Sequence, residues 1–193
     1  MIHFDELTHT YTVNGKNLPS VSEVIKRILP GQYADIPEWI LNKAAEFGTE
    51  VHSMIEVYNE TGLYLPAEDE RKNHCLDEWI RLKDGITIKS SEMRVHYKDI
   101  YAGTFDALAE IDGQTVLMDY KTTSKVHIEH LTLQLNLYRL AYENLTGERV
   151  GRLVGVWLPK KGKGKLVECD LIPDEELHTV LASVCQGYKG DSE

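Results

Sequence analysis

Residues 103–121 read GTFDALAEIDGQTVLMDYK and predict a β-hairpin. Two runs rich in Val, Ile, Leu and Thr flank Asp112-Gly113, a dipeptide that favours the positive φ of a tight hairpin turn. Because residues two apart on a strand point to the same face, Asp119 and Lys121 are expected to project together. Asp106 lies at a similar distance from the turn on the first strand and is predicted to face Asp119.

The surroundings of Asp119 bear on two interpretations of this hairpin. Val116, Leu117 and Met118 precede it, and a buried carboxylate in an apolar neighbourhood is costly unless it is paired or bound to a metal. Two carboxylates and an ammonium at one strand end would then form a divalent-metal site. The alternative is a surface hairpin with an ordinary Asp–Lys salt bridge, because the pattern Asp-x-Lys is common by chance.

The composition is that of a globular protein with enough apolar residues for a core. The chain has 193 residues, of which 42% are hydrophobic, and a net charge of −10, which discourages a nucleic-acid partner. The charge is unevenly distributed. Residues 121–165 carry nine Lys or Arg against three Asp or Glu, a net charge of +6 that leaves −16 for the remainder. The total charge therefore disfavours a DNA partner without excluding it.

Other bulk features concern location and redox state. No stretch approaches the roughly 20 apolar residues that span a bilayer, and the first residues lack the basic and apolar regions of a signal peptide. Cys75, Cys169 and Cys185 are odd in number and far apart, which favours a reduced protein and argues against a cysteine-held zinc or iron–sulfur site. We therefore expect a cytoplasmic protein without a membrane partner.

Turn and capping signals divide the chain into predicted elements within one domain. Residues 1–36 are expected to form a β-ribbon and a short helix, residues 37–172 the core, and residues 173–193 a last helix and a tail from Lys189. The core elements are helices at 37–62, 67–83 and 128–145, and strands at 86–97, 101–111, 115–121, 150–159 and 166–172. The expected fold class is mixed α/β (α+β), with a central mixed sheet flanked by helices.

The first long helix carries a candidate site residue. Gly48 and His52 lie one turn apart, beside an apolar stripe at helical spacing that consists of Ile40, Ala44, Phe47, Val51, Ile55 and Tyr58. A mid-helix glycine costs about 1 kcal/mol relative to alanine, so Gly48 is expected to permit the close approach of a ligand or of another backbone. A lone helical histidine is more often a surface or core residue than a ligand, so His52 alone decides nothing.

Three further groups of polar residues have a functional and an ordinary interpretation. Glu92, on the strand before the hairpin, faces either the carboxylate cluster or solvent. The residues spaced by four on the helix after Lys121 either line a cleft or form a helix edge on the core: His130, Gln134, Tyr138 and Tyr142. The loop at residues 160–165, which begins with Lys160 and Lys161, is either a contact for a phosphate backbone or a solvated hairpin tip.

The order of these elements and residues resembles the PD-(D/E)XK nuclease superfamily, and within it the RecB-type nucleases, which include small free-standing phage-like exonucleases. Four places carry the resemblance: Gly48 with His52, GTFD at 103–106, DYK at 119–121, and Gln134 with Tyr138. Each is weak alone, but their joint occurrence in this order is specific. The resemblance implies a restriction-endonuclease-like core with element order αβββαβ.

By position, the resemblance implies a metal-dependent DNA nuclease, in the first place an exonuclease of DNA recombination or repair. Mg²⁺ or Mn²⁺ would be bound by His52, Asp106, Asp119 and the main-chain carbonyl of Tyr120. Asp106, Asp119 and Lys121 would be catalytic, with Lys121 orienting or deprotonating the attacking water. No iron–sulfur cluster is expected, because the four clustered cysteines that some relatives carry for one are absent.

The implied partner is DNA, with a homo-oligomer or a recombination protein as further candidates. Gln134 and Tyr138 would line the site and hold substrate, Lys160 and Lys161 would contact the DNA backbone, and Glu92 and Gly48 are additional candidates for the site.

Other functions stay open at this point. A catalytically silent DNA-binding module on the same fold is one, although a binding-only descendant would have no reason to keep Asp106, Asp119 and Lys121 together. A structure-specific endonuclease is another. The third is a His/Asp metal hydrolase of small molecules on an unrelated fold, against which the basic loop and the stripe of Gln134 and Tyr138 favour a polymeric phosphate.

Overall fold

The protein folds as helices on both faces of a central β-sheet, with a small second sheet at its N-terminal end. The structure is a computed structural model that describes residues 2–5, 8–31 and 35–185. In chain order its elements are β1 (Ile2–Asp5), β2 (Thr10–Val13), β3 (Lys16–Leu18), α1 (Val21–Ile28), α2 (Glu38–Thr61), α3 (Glu70–Leu82), β4 (Thr87–Tyr97), β5 (Tyr101–Ile111), β6 (Gln114–Lys121), α4 (Ile128–Thr146), β7 (Arg152–Trp157), β8 (Lys165–Cys169) and α5 (Asp174–Val184).

The central sheet has the strand order β4-β5-β6-β7-β8. Its β6–β7 pair is parallel and the other three pairs are antiparallel. The parallel pair requires a crossover, which α4 supplies. The mixed sheet, its flanking helices and the order of elements are confirmed as predicted. The tail predicted from Lys189 lies outside the described residues.

Local sequence signals account for the hairpin formed by β5 and β6. Asp112 and Gly113 both have positive φ, +52° and +74°, which is the backbone of the two-residue turn that their sequence favours. The turn sets the β5–β6 register, in which Ile111 pairs with Gln114 and Ala107 with Met118.

The sheet buries a separate apolar layer on each face. One layer joins the sheet to α1, α4 and α5 and includes Phe105, Leu117, Leu131 and Leu181. The other joins the sheet to α2 and α3 and includes Val51, Trp79, Met118 and Val156. Since Leu117 and Met118 belong to opposite layers, Asp119 lies on the α4 side of the sheet and Tyr120 on the α2 side.

The apolar stripe predicted along α2 is only partly buried. Phe47, Val51 and Ile55 are in the core, whereas Ile40 is 40% exposed and Ala44 is exposed. The first turns of α2 are left uncovered, because the apolar layer that packs against this helix begins at Phe47. The uncovered turns border a groove described below.

The predicted N-terminal ribbon is confirmed and has a third strand. β1, β2 and β3 form an antiparallel sheet, and Tyr11, Val13 and Leu18 pack against Ala102 of β5. The Tyr11 hydroxyl also lies 3.0 Å from the Thr104 hydroxyl. These contacts hold the small sheet beside the first residues of β5, where Thr104 precedes Asp106 by two positions.

The cysteines and the helices bear on two bulk predictions. Cys75, Cys169 and Cys185 are buried free thiols, and burial raises the pKa of the Cys75 thiol to about 11. Within the described ranges, no helix is both long enough and apolar enough to cross a membrane.

Candidate active site

The candidate site lies where β5 and β6 separate. Their backbone pairing ends at Ala107–Met118, so Asp106 and Asp119 occupy the next opposed positions. There the Asp106 side chain replaces a backbone acceptor, because its Oδ2 accepts a hydrogen bond of 2.5 Å from the Tyr120 N–H. The fork therefore holds two carboxylates that are both nearly buried, 9% exposed for Asp106 and 3% for Asp119.

α2 places His52 against this fork. Its Nδ1 lies 3.2 Å from Asp106 Oδ1, and its Nε2 lies 3.0 Å from the Tyr120 carbonyl oxygen. Both partners are acceptors, so both ring N–H groups donate. The structure thus brings together three of the groups that the family resemblance implies as metal ligands: the His52 imidazole, the Asp106 carboxylate and the Tyr120 carbonyl.

Glu92 joins the same cluster from β4. Its neighbours Ser91 and Met93 pair with Ala107 and Phe105, which sets Glu92 opposite Asp106. Its φ of +49° is unusual for a non-glycine residue in a strand. The ligand atoms of His52, Glu92 and Asp106 lie within 4.8 Å of one another. Glu92 thus borders the carboxylate cluster while its side chain stays exposed to solvent, so it combines the two positions predicted for it.

Asp119 belongs instead to a neighbouring polar group on the α4 side. Its Oδ2 lies 2.6 Å from Lys121 Nζ, and Lys121 Nζ donates a hydrogen bond of 2.9 Å to Gln134 Oε1. Asp119 and Lys121 project together, as the alternation along β6 predicted. Asp119 does not belong to the compact group of ligands formed by His52, Glu92 and Asp106. This differs from the ligand set that the family resemblance implies.

Tyr138 lies one turn beyond Gln134 on α4 and is 5% exposed. A Cβ at Gly103 would lie 2.7 Å from Tyr138 Cε1 and 3.1 Å from Val21 Cγ2. The glycine of the GTFD sequence is therefore required by the packing of α4 and α1 on β5. Tyr142 is farther along α4, where its hydroxyl donates to Glu148 Oε2 at 2.5 Å.

The charges of the cluster act on one another. Although burial disfavours the imidazolium, the Asp106 carboxylate beside it raises the pKa of His52 to about 9. Burial and the charge of Asp106 raise the pKa of Glu92 to about 7. Burial also raises the pKa of Asp119, whereas His52 and Lys121 outweigh burial and lower that of Asp106. Crowded carboxylates of this kind are relieved by a cation.

The donor set fits a hard divalent ion. Carboxylate oxygens from Glu92 and Asp106 and the Tyr120 carbonyl suit Mg²⁺ or Mn²⁺, and an imidazole such as that of His52 favours Mn²⁺ among the two. Asp119 lies on the other side of the fork, with its carboxylate on Lys121.

A cleft of about 700 Å³ opens onto this cluster and is lined in part by Phe4, Tyr11, His52, Glu92, Arg94 and Asp106. Sequence reasoning missed the contribution of the N-terminal sheet. The alternation of β1 and β2 predicted strands, but no local signal indicated that Phe4 and Tyr11 would dock beside β5.

Lys160 and Lys161 lie in a different depression, which we call the lysine groove. It has a volume of about 680 Å³ and is bordered by Ile40, Leu41, Thr122, Trp157, Lys160 and Lys161. Gly48 is near its Thr122 side: a Cβ there would meet Thr122 Oγ1 at 3.5 Å, an ordinary contact. The protein's own packing therefore does not require a glycine at position 48, so of the two expected reasons for it, the approach of a ligand stays a prediction.

Comparison with known protein families identifies a superfamily that matches this chain. The family model of the PD-(D/E)XK nuclease superfamily matches residues 75–190. This range contains Glu92, Asp106, Asp119, Lys121 and Gln134, and it begins after His52. The match confirms the family resemblance seen in the sequence. No protein among the curated sequences matches this chain.

Three solved structures are similar to this chain at low sequence identity. A candidate exonuclease from Eubacterium rectale has a TM-score of 0.50 and 15% identity, covering 86% of this chain and 77% of that one. A phage-related exonuclease from Haemophilus somnus 129PT has a TM-score of 0.40 and 9% identity over 86% of this chain and 88% of that one. A third structure, of the protein SSO0001, has a TM-score of 0.49 and 14% identity over 89% and 74%.

Proposed function

Because this chain belongs to the PD-(D/E)XK nuclease superfamily, we propose that it is a metal-dependent deoxyribonuclease, and specifically an exonuclease of DNA recombination or repair. The observation that carries the proposal is the fork between β5 and β6. There His52 contacts both the Asp106 carboxylate and the Tyr120 carbonyl, three groups suited to a metal, and Asp106 also accepts from the Tyr120 N–H. The Asp119–Lys121 pair lies on the adjoining side.

Hydrolysis of a phosphodiester needs an activated water, neutralised phosphate oxygens and a stabilised leaving group. A divalent cation held by His52, Glu92, Asp106 and the Tyr120 carbonyl would lower the pKa of a bound water and neutralise phosphate charge. We assign Asp119 to the same centre. Its carboxylate contacts Lys121, and both side chains emerge from the same face of β6.

Lys121 is proposed to act on the attacking water and on the developing negative charge. Its ammonium is held between Asp119 Oδ2 and Gln134 Oε1, so it has a fixed position before substrate binds, and such preorganisation lowers the barrier. Gln134 is thereby a positioning residue as well as a wall of the site. Tyr138, buried behind Gln134, is proposed to hold that wall in place, and Lys160 and Lys161 to contact the DNA backbone.

The choice of an exonuclease extends a neighbour's name to this chain. The Eubacterium rectale structure carries that name, and its likeness supports the fold alone, so cleavage from an end is part of the proposal. The Haemophilus somnus and SSO0001 structures add nothing to it.

The test uses linear DNA labelled at one end and closed circular DNA of the same sequence, incubated with Mg²⁺, Mn²⁺ or a chelator. The proposal requires progressive release of label from linear DNA with metal, intact circles, and no cleavage with chelator. Nicked or linearised circles would identify an endonuclease. Binding of DNA without cleavage under any metal would identify a silent binding module.

A further inference from the structure

The lysine groove has a charge opposite to that of the whole chain. Lys125, Lys160 and Lys161 line it together with Arg71, whose guanidinium is paired with Asp69, and none of its lining residues in the described part of the chain is acidic. This is a local concentration of positive charge in a protein whose net charge is −10. The groove is therefore suited to a polyanion.

The floor of the groove is apolar and partly exposed. Ile36 and Ile40 line it and are 39% and 40% exposed, and Leu41, Trp157 and Pro159 continue the same surface. The free energy of the system falls when a ligand covers exposed apolar groups. The occupant must therefore present apolar faces as well as negative charges.

These two properties distinguish between forms of nucleic acid. A duplex presents phosphates outward and stacks its bases inside, so it would leave Ile36 and Ile40 exposed. A single strand offers both phosphates for lysines and base faces for an apolar surface. We propose that the lysine groove binds the unpaired strand of a DNA substrate, with the bases against Ile36 and Ile40 and the phosphates against the cations. This inference rests on the proposed function.

The groove adjoins the residue proposed to act on water. Thr122 lines the groove and directly follows Lys121, and Lys121 pairs with Trp157 in the β6–β7 register. Trp157 Nε1 donates a hydrogen bond of 2.8 Å to the Thr123 carbonyl, which fixes this wall. The groove therefore runs beside the backbone of Lys121, and a strand bound in it would lie next to the proposed active site.

Lys160 adds a second fixed point. Its Nζ lies 4.0 Å from the centroid of the Phe47 ring, a cation–π distance, so this charge is positioned at the groove rather than free in solvent. Lys161 is exposed beside it. The two lysines accordingly present one held and one accessible charge to the phosphates.

The experiment measures fluorescence anisotropy of a short labelled oligothymidylate and of a blunt duplex of equal length, with Ca²⁺ in place of Mg²⁺ to limit cleavage. The test protein carries Ile36→Ser and Ile40→Ser. We expect its Kd for the single strand to rise about tenfold, with that for the duplex changed less than about twofold. Both positions are exposed, and a thermal melt matching wild type verifies the fold.

Two comparisons make the result specific. The variant with Leu63→Ser and Leu65→Ser removes apolar groups outside the groove that are even more exposed, at 58% and 55%, and it should bind both DNAs like wild type. Lys161→Gln should weaken both DNAs and reduce the dependence of Kd on salt. An Ile36/Ile40 variant that binds the single strand like wild type, or loses both DNAs equally, overturns the inference.

The outcome for the groove can be separated from that for the proposed function. If the wild-type protein degrades DNA but its Ile36/Ile40 variant still binds single strands normally, the proposed function is supported and the inference about the groove is wrong. If single strands bind in the groove but the wild-type protein cleaves no DNA with Mg²⁺ or Mn²⁺, the inference about the groove is supported and the proposed function is wrong.

Discussion

The Asp106 carboxylate takes the hydrogen bond of the Tyr120 N–H at 2.5 Å, at the point where β5 and β6 cease to pair. The same carboxylate contacts His52, and the Tyr120 carbonyl contacts the other side of the His52 ring. Asp106 therefore shapes the fork as well as offering oxygens to it. Substituting Asp106 would change structure and chemistry together, so the clearer tests use its neighbours.

Asp119→Asn is expected to reduce DNA cleavage by at least about a hundredfold while preserving the fold. The substitution keeps the side-chain volume. Burial raises the pKa of the Asp119 carboxyl, which means that its charged form is disfavoured in the folded protein, so removing the charge should not lower the stability. Initial cleavage rates with Mn²⁺, together with thermal unfolding in chelator, measure both effects. Near-normal cleavage by a folded Asp119→Asn protein would contradict the assignment of the site.

Lys121→Met should lose turnover while retaining metal affinity. Lys121 contacts Asp119 and Gln134 and is outside the compact ligand group, so its removal affects the water and the developing charge. Calorimetric titration with Mn²⁺ and single-turnover cleavage separate the two properties. Lys163→Met, which removes an exposed lysine outside both depressions, is the matched control. A parallel loss of affinity and turnover would assign Lys121 a structural role.

His52→Gln should weaken metal binding and shift the preference from Mn²⁺ towards Mg²⁺, because an imidazole ligand is lost. In wild type, the proton on His52, whose pKa is about 9, must leave before the ring can bind metal. Metal affinity should therefore rise with pH up to about 9 in wild type and lose this component in the variant. Identical metal-activation curves for the two proteins would remove His52 from the site.

The same histidine predicts a pH effect on the metal-free protein. Its pKa is raised from the ordinary 6.5 to about 9 on folding, so the folded state binds more protons between these values. Its contribution to stability is complete below pH 6.5 and is lost as pH rises through about 9. Denaturant unfolding in chelator at several pH values should show this loss in wild type and less of it in His52→Gln.

Glu92→Gln should lower metal affinity by on the order of tenfold or more, since it removes one of the two carboxylates in the compact ligand group. Glu56→Gln is the control, because Glu56 lines the same cleft but is not part of that group. Manganese titration of both variants makes the comparison. Equal effects would mean that the cleft responds only to total negative charge.

Gly103→Ala should destabilise the fold by about 1–3 kcal/mol, the usual cost of overpacking. Its Cβ would lie 2.7 Å from Tyr138 Cε1, whereas a Cβ at Gly151 would meet its nearest atom at 3.6 Å. Gly151→Ala should therefore change stability much less. Urea unfolding of the two variants gives the difference, and equal stabilities would show that the Tyr138 ring moves without cost.

The elements predicted well are those with signals in adjacent residues. Pro37 and Gly62 bracket α2, Gly147 follows α4, and Asp112-Gly113 forms the hairpin turn. The alternation along β6 was sufficient to place Asp119 and Lys121 on one face. Each of these features depends on backbone preferences within a few residues.

What escaped prediction depends on distant parts of the chain. Whether Glu92 faces the cluster depends on its pairing with β5 and on its positive φ, and neither is visible in the residues around it. The exposure of Ile40 follows from where the covering layer ends. The bond from Tyr120 to Asp106 and the docking of Phe4 and Tyr11 likewise require the assembled sheet.

The three buried thiols can report local opening of the folded chain through their reactivity. Cys75 belongs to the apolar layer under α2 and α3, whereas Cys169 and Cys185 belong to the opposite layer. An alkylating reagent reaches a buried thiol only when its surroundings open. The order in which the three cysteines become modified in dilute denaturant would therefore reveal which face of the sheet loosens first, without any engineered label.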